Sequence, residues 1–195
     1  MANTLNSLTT GSGGVQIACV DTSGDLNIQS GGSTKIAVTS AGVAVTGLSK
    51  ASLPTGSVLQ VVQSIYTTEV TNSTSTLADT GLSASITPTS STSKVLIMVT
   101  QSCNKNSGNA NSGVDIKLFR NATDLGYWFG YGIGYNATSS IFRGSASFQY
   151  LDSPATTSAT TYKTQFRNDT GAASVTVQPD TGYGTSTITL LEIAA

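Results

Sequence analysis

Phe142-Arg-Gly-Ser-Ala-Ser-Phe-Gln-Tyr150 is the stretch that decides the fold class. Phe142, Ala146, Phe148 and Tyr150 fall on even positions, and Arg143, Ser145, Ser147 and Gln149 on odd ones. A β-strand points successive side chains to opposite faces, so this alternation sets one face in a core and the other in solvent. The same period recurs on both sides. Upstream, Leu82, Ala84 and Ile86 share a face, and so do Val114, Ile116 and Leu118, with Asp115 and Lys117 opposite. Downstream, Tyr162 and Phe166 face one way while Lys163, Gln165 and Arg167 face the other. Val95-Leu-Ile-Met-Val99 is apolar throughout and reads as a strand covered on both faces. A last strand spans Thr185 to Ile193. Turns fall at Asn121-Ala-Thr-Asp, Asn168-Asp-Thr-Gly and Gln178-Pro-Asp-Thr-Gly, where Asn, Asp and Gly accept turn geometry. About eight to ten strands with no helical period between them predict an all-β fold, an antiparallel jelly-roll-like β-sandwich over residues 53–195.

Composition points the same way. Ser and Thr fill 59 of the 195 positions, with 20 Gly and 11 Asn besides, while charged residues make up only 10%. Strong helix formers are scarce, and Thr and Val suit a pleated surface. Histidine is absent, which removes Ser-His and Cys-His nucleophile pairs and most zinc sites. The net charge is −1 with no basic stripe, so nucleic acid is not an expected partner. The longest apolar run, Val95 to Val99, is far short of the ~20 residues of a membrane span, and no membrane insertion is expected. Met1 to Ser7 has neither the basic nor the apolar part of a secretory signal, which predicts synthesis in the cytoplasm. Gly11-Ser-Gly-Gly14 lacks the Gly-Lys-Ser/Thr of a phosphate loop, and no Asp-x-Asp calcium loop is present. No cofactor or metal is expected. Cys19 and Cys103, far apart in sequence, read as small buried hydrophobes rather than a disulfide framework.

The chain changes character near Leu48 to Thr55. Before it lie short strand-like pieces at Val15–Val20, Asp25–Gln29, Lys35–Thr39 and Val43–Thr46, separated by glycine-bearing turns. This segment holds none of the 13 aromatic residues, and its apolar groups are mainly Ala, Val and Ile. Roughly 50 residues of that kind bury too little area to offset the entropy of ordering them alone. Residues 1–52 are therefore either floppy or completed by other chains, copies of itself or a larger assembly, and the regular strand pattern favours the second. Residues 53–195 are expected to form a self-sufficient sandwich.

Three stretches carry a resemblance. They are Ser83-Ala-Ser-Ile-Thr-Pro-Thr-Ser-Ser-Thr-Ser-Lys-Val-Leu-Ile-Met-Val99, Ser147-Phe-Gln-Tyr-Leu-Asp-Ser-Pro-Ala-Thr-Thr-Ser-Ala-Thr-Thr-Tyr-Lys163 and Ser186-Thr-Ile-Thr-Leu-Leu-Glu-Ile193. Together they resemble the head domains of tailed-bacteriophage fibre proteins. Asp21-Thr-Ser-Gly-Asp-Leu-Asn-Ile-Gln-Ser-Gly-Gly32 and Val43-Ala-Val-Thr-Gly47 are similar to the N-terminal segments of such fibres. The resemblance implies a virion structural protein, typically a homotrimer, with a slender base docking on other virion proteins and a β-sandwich knob at the host surface. It brings no catalytic or binding residues with it. A capsid decoration or head-fibre protein is the alternative, and a carbohydrate-binding module of an adhesin a lesser one.

One compositional anomaly remains. Gly126-Tyr-Trp-Phe-Gly-Tyr-Gly-Ile-Gly-Tyr135 packs Tyr127, Trp128, Phe129, Tyr131 and Tyr135 between glycines. Aromatic faces stack on sugar rings, Tyr and Trp keep a polar tip, and glycine lets a ligand approach the backbone. Tyr127, Trp128, Tyr131 and Tyr135 are the candidate glycan or receptor contacts, with Asn106 and Asn109 of the polar loop Ser102–Ser112, and Asn104 and Asn111 beside them, as hydrogen-bond partners. The alternative is that these aromatics fill the sandwich or pack at a trimer axis. Asp152, Asp169 and Asp180 are the acids a glycosidase would need, but each sits in a turn-forming context. The chain is expected not to be an enzyme.

Overall fold

The computed structural model describes residues 26–30, 33–39, 42–45, 53–108, 110–170, 174–180 and 184–195. Within these ranges the side chains of 127–133 and 136, and in the first 45 residues all but those of Ile28, Ile36, Ala37 and Val45, are not described. The chain falls into two units, Met1–Ser52 and Leu53–Ala195. The boundary lies where the aromatic-free, glycine-punctuated sequence gives way to long alternating strands.

The first unit contains a three-stranded antiparallel sheet of β1 (Leu26–Ser30), β2 (Ser33–Thr39) and β3 (Gly42–Val45). Its register sets Ile28 opposite Ile36 and Ile36 opposite Val45, one apolar row across three strands. Ile28 and Val45 are exposed and Ile36 is half-buried. The expected strand at Val15–Val20 and Cys19 lie outside the described residues.

The second unit is an antiparallel β-sandwich, with ten strands among its described residues, as the alternation predicts. They are β4 (Val58–Tyr66), β5 (Val70–Asn72), β6 (Ala78–Ile86), β7 (Lys94–Lys105), β8 (Ser112–Arg120), β9 (Thr123–Asn136), β10 (Phe142–Asp152), β11 (Thr160–Asn168), β12 (Val175–Val177) and β13 (Ser186–Ile193). One sheet runs β4-β13-β7-β10, and toward Lys105 the short β12, carrying β5, takes the place of β13 beside β7. The other runs β6-β11-β8-β9. Alternation fixes which face is buried because slipping a strand by one residue would turn its whole apolar set outward.

Two apolar clusters lie between the sheets. Leu82, Ile86, Leu118 and Tyr162 meet Val95, Ile97, Ile188 and Leu190 in one, and Val114, Ile116 and Phe166 meet Cys103, Ala146 and Val175 in the other. Sequence alternation finds Leu82, Ile86, Val114, Ile116, Leu118, Ala146, Tyr162 and Phe166 among these residues. It does not find the hydroxyl and amide layer that crosses the same interior. There Thr80 and Thr164 share a hydrogen bond of 2.7 Å, Thr164 Oγ1 donates to Gln101 Oε1 at 2.9 Å, and Gln101 Nε2 donates to Ser186 Oγ at 2.9 Å. The Gln178 amide reaches the same Ser186 Oγ at 2.9 Å, and all five side chains have no accessible surface. Thr80, Gln101, Thr164 and Ser186 continue the inward parity of their strands, and Gln178 (φ +51°) enters from the turn after β12, so polar chains occupy core positions and bond to one another. This layer ties β6 and β11 of one sheet to β7 and β13 of the other.

At Gly81 (φ +83°) β6 pairs β11 through a register shift, and a Cβ there would lie 2.3 Å from the Tyr66 ring. Glycine is required on both counts. Three expectations need correction. Val95–Val99 is covered on one face only, since Met98 keeps 44% of its surface. Asp115 does point away from the core, but it is only 3% exposed because Arg167, its cross-strand neighbour, donates to it at 3.0 Å. Phe142 stands at the rim of the sandwich and is exposed.

Candidate functional site

β9 is the edge strand of its sheet, and its pairing with β8 shifts register repeatedly: Lys117 faces Tyr127, Ile116 faces Phe129, Val114 faces Ile133 and Ser112 faces Asn136. Alternating glycines explain this, since they weaken a strand and invite bulges. The strand carries all the candidate aromatics but spreads them out. Eight residues separate Tyr127 from Tyr135, roughly 26 Å along a strand. Tyr127 pairs toward the Asp124 hairpin, whereas Tyr135 lies at the opposite end of the sandwich.

That second end gathers the polar loop. Gly134, next to Tyr135, backs onto Lys105 and Phe142, so close that a Cβ would lie 3.1–3.2 Å from both side chains. Lys105 Nζ donates to the Thr138 carbonyl at 2.8 Å, and Gly108 N to the Ser139 carbonyl at 3.0 Å, tying the β7–β8 loop to the β9–β10 loop. Tyr135 is 49% exposed here, and Ile141 and Phe142 are exposed beside the same connection. Exposed apolar side chains at the tip of a sandwich, rimmed by a Ser- and Asn-rich loop, form a surface on which a sugar ring or a peptide can rest.

The asparagines divide between two tasks. Asn104 is buried, and its amide donates to Asn106 Oδ1. Asn106 Nδ2 donates in turn to Ser174 Oγ at 2.7 Å and Thr176 Oγ1 at 3.0 Å. These two hold the loop against β12 rather than presenting amides to solvent. Asn111 (φ +52°) is exposed at the turn into β8. Asn109, and the side chains of Tyr127, Trp128 and Tyr131, lie outside what is described. The structure thus brings Tyr135 to the loop and keeps Tyr127 away from it; Ile141 and Phe142 are the exposed neighbours the sequence reading missed. The parity of Phe142 predicts a core position, but at the first residue of β10 its side chain is exposed.

The three acids stand apart. Asp152 pairs with Val95 at the far end of β10, where it accepts from Arg120 at 2.8 Å and from the Tyr162 hydroxyl at 2.7 Å. Burial first, and then the Asp152 carboxylate, push the Tyr162 hydroxyl well above its ordinary pKa. Asp169 lies at the loop end, its pKa raised by burial and then by the charge of Asp115. Asp180 pairs with exposed Arg143 at 2.6 Å, beside a polar hollow of about 320 Å³. Two carboxyls flanking one cleft is what glycoside hydrolysis needs, and these three lie in separate surroundings. Cys103 is buried, and desolvation pushes its thiol up to about 12, which keeps it protonated and inert. No group of three or more metal-ligating side chains occurs among the described residues. No helix of the described residues is long and apolar enough to cross a membrane.

No protein-family model and no curated protein matches the sequence. Among solved structures the chain is similar to the VP2 subviral particle of infectious bursal disease virus, at 9% identity and a TM-score of 0.34. The match covers 71% of this chain and 39% of that one, so the chain spans well under half of that neighbour. A likeness of this size bears on neither family nor role.

Proposed function

We propose that this chain is a bacteriophage virion structural protein, a homotrimeric tail fibre whose residues 1–52 dock and oligomerise and whose sandwich head contacts the host surface. The observation that carries the reading is the apolar row Ile28–Ile36–Val45, whose two outer members stand in solvent in a single chain. A three-stranded sheet whose outer apolar side chains stand in solvent gains stability by adding chains, because each buried methylene contributes about 0.8 kcal/mol. The sandwich, by contrast, carries its own core. An assembling segment joined to a self-sufficient sandwich is the organisation of a fibre, and it agrees with the sequence resemblance. On this reading the chain acts by binding.

Light scattering on the full chain gives the mass of three chains; a stable monomer overturns the reading. Immunogold labelling of virions places the label on the tail. Label on the capsid instead transfers the protein to the decoration or head-fibre class. For the host contact, Tyr135→Ala and the triple Tyr127/Trp128/Tyr131→Ala variant lower adsorption to host cells at least tenfold while the assembled mass is kept. Loss of the mass in the triple variant assigns those three aromatics to packing.

A further inference from the structure

The outward face of the β4-β13-β7-β10 sheet has a composition unlike the rest of the surface. Its register gives three consecutive rows across four strands. Val61, Leu191, Leu96 and Leu151 form the first; Gln63, Thr189, Met98 and Gln149 the second; Ile65, Thr187, Thr100 and Ser147 the third. No charged side chain stands in any of them. Val61, Ile65, Met98 and Leu151 are all exposed. A hollow of about 390 Å³, lined by Met98, Thr100, Ser147, Gln149, Thr187 and Thr189, indents the face beside the leucine row. Ridge and hollow side by side are the relief with which a rotated copy of the same surface can interlock.

We infer that this face is where the sandwich packs against a second copy of the same chain, an inference that rests on the self-assembly proposed above and locates it in the head. Charge chooses the occupant. A face without charge buries no unpaired ion against itself, and a net charge of −1 per chain sets up little repulsion between copies. A glycan needs an aromatic platform, and the three rows contain no aromatic side chain. An anionic lipid surface needs a basic cluster, which the rows also lack. Four strands about 4.8 Å apart and the five residues of about 3.3 Å each that the rows span give roughly 320 Å² in projection, a central patch of the ~800 Å² that each partner buries in a standard interface. Four of the six polar members are already paired within the face, Gln63 Nε2 to Thr189 Oγ1 at 3.0 Å and Thr100 with Ser147 at 3.3 Å, so covering these strands no group of theirs.

Met98 reports on the contact directly, because a thioether in solvent is oxidised by peroxide and a covered one is spared. Light scattering gives the mass of the full-length chain, and mass spectrometry follows Met98 oxidation against the guanidinium-unfolded chain. The expected result is an oligomer in which Met98 oxidises at least tenfold more slowly than in the unfolded chain. Leu151→Glu, or Gln149→Glu should the first variant lose its β-type circular dichroism, brings that rate back to within about threefold of the unfolded one. An oligomer whose Met98 oxidises as fast as the unfolded chain overturns this face and leaves assembly standing. Protection that persists in a folded charged variant overturns it too, since something other than a copy of the face then covers Met98. A monomeric wild-type mass overturns both this inference and the assembly it rests on.

Discussion

The outer faces of the two sheets of the sandwich make opposite choices. On β6-β11-β8-β9, charges stand in pairs: Lys163 with Asp79 at 2.8 Å, Arg167 with Asp115 at 3.0 Å, and Lys117 with Asp124. On β4-β13-β7-β10, the central rows hold Val, Leu, Ile, Met, Gln, Ser and Thr only. Both sheets show the core an alternating apolar face, so the interior does not require this difference. A charged, self-satisfied face is suited to water and discourages neighbours, whereas an uncharged one with exposed methyl and thioether groups tolerates being covered. What a sheet turns outward therefore records what it meets, independently of what holds it together.

The largest test addresses the interior that the two sheets share. Gln101→Leu removes the amide that accepts from Thr164 and donates to Ser186. Stranding buried hydroxyls costs about 2–3 kcal/mol, read as a lowered urea midpoint at unchanged slope. A cost near zero would mean that the polar layer does not join the sheets.

An intermediate effect belongs to Glu192, which has no accessible surface on the inward parity of β13. Burial raises its pKa, but hydrogen bonds from Thr89 (2.7 Å) and Gln60 (2.6 Å) outweigh that and hold it below the ordinary carboxylate value. The bonds stabilise the charged form, so their contribution is full above the unfolded value of about 4.3 and drains away as pH falls through the lower folded value. Glu192→Gln costs about 1–2 kcal/mol at pH 7. Thermal melts of the two proteins converge as the pH falls below about 4, and parallel curves would count against the assignment.

The smallest effect sharpens the contrast between the outer faces. Lys163→Met changes stability by no more than about 0.5 kcal/mol, because exposed ion pairs are screened and lose side-chain entropy. It leaves the oligomeric mass alone, and added salt abolishes the small difference. A change of mass would show that the charged sheet also makes contacts between chains.

The parts of the fold legible in sequence were those where a residue's chemistry and its parity agree. Leu82-x-Ala84-x-Ile86 and Tyr162-x-x-x-Phe166 announce a buried face by themselves, and both are buried. Thr80, Thr164 and Ser186 occupy equally buried positions, yet hydroxyl residues are common throughout the chain and carry no signal of burial. Met98 misled in the other direction, since an apolar residue in an apolar run suggests cover that the single chain does not supply. At the candidate site, the aromatic and glycine enrichment of 126–135 marked β9, but an extended strand pulls its two ends apart. Ile141 and Phe142 join Tyr135 only through the return of the chain into β10.

By itself the sequence determined the secondary structure and the inward faces, because side-chain alternation and turn chemistry act over a few neighbouring residues. It also set the division near residue 52, since supply of bulky apolar groups is a matter of local composition. Tertiary structure alone decided which strands became neighbours, and with them the polar layer, the buried Asp115 beneath Arg167 and the uncharged outer face. Those depend on residues tens of positions apart meeting across a sheet, and strand pairing over such distances leaves no periodic trace in either partner.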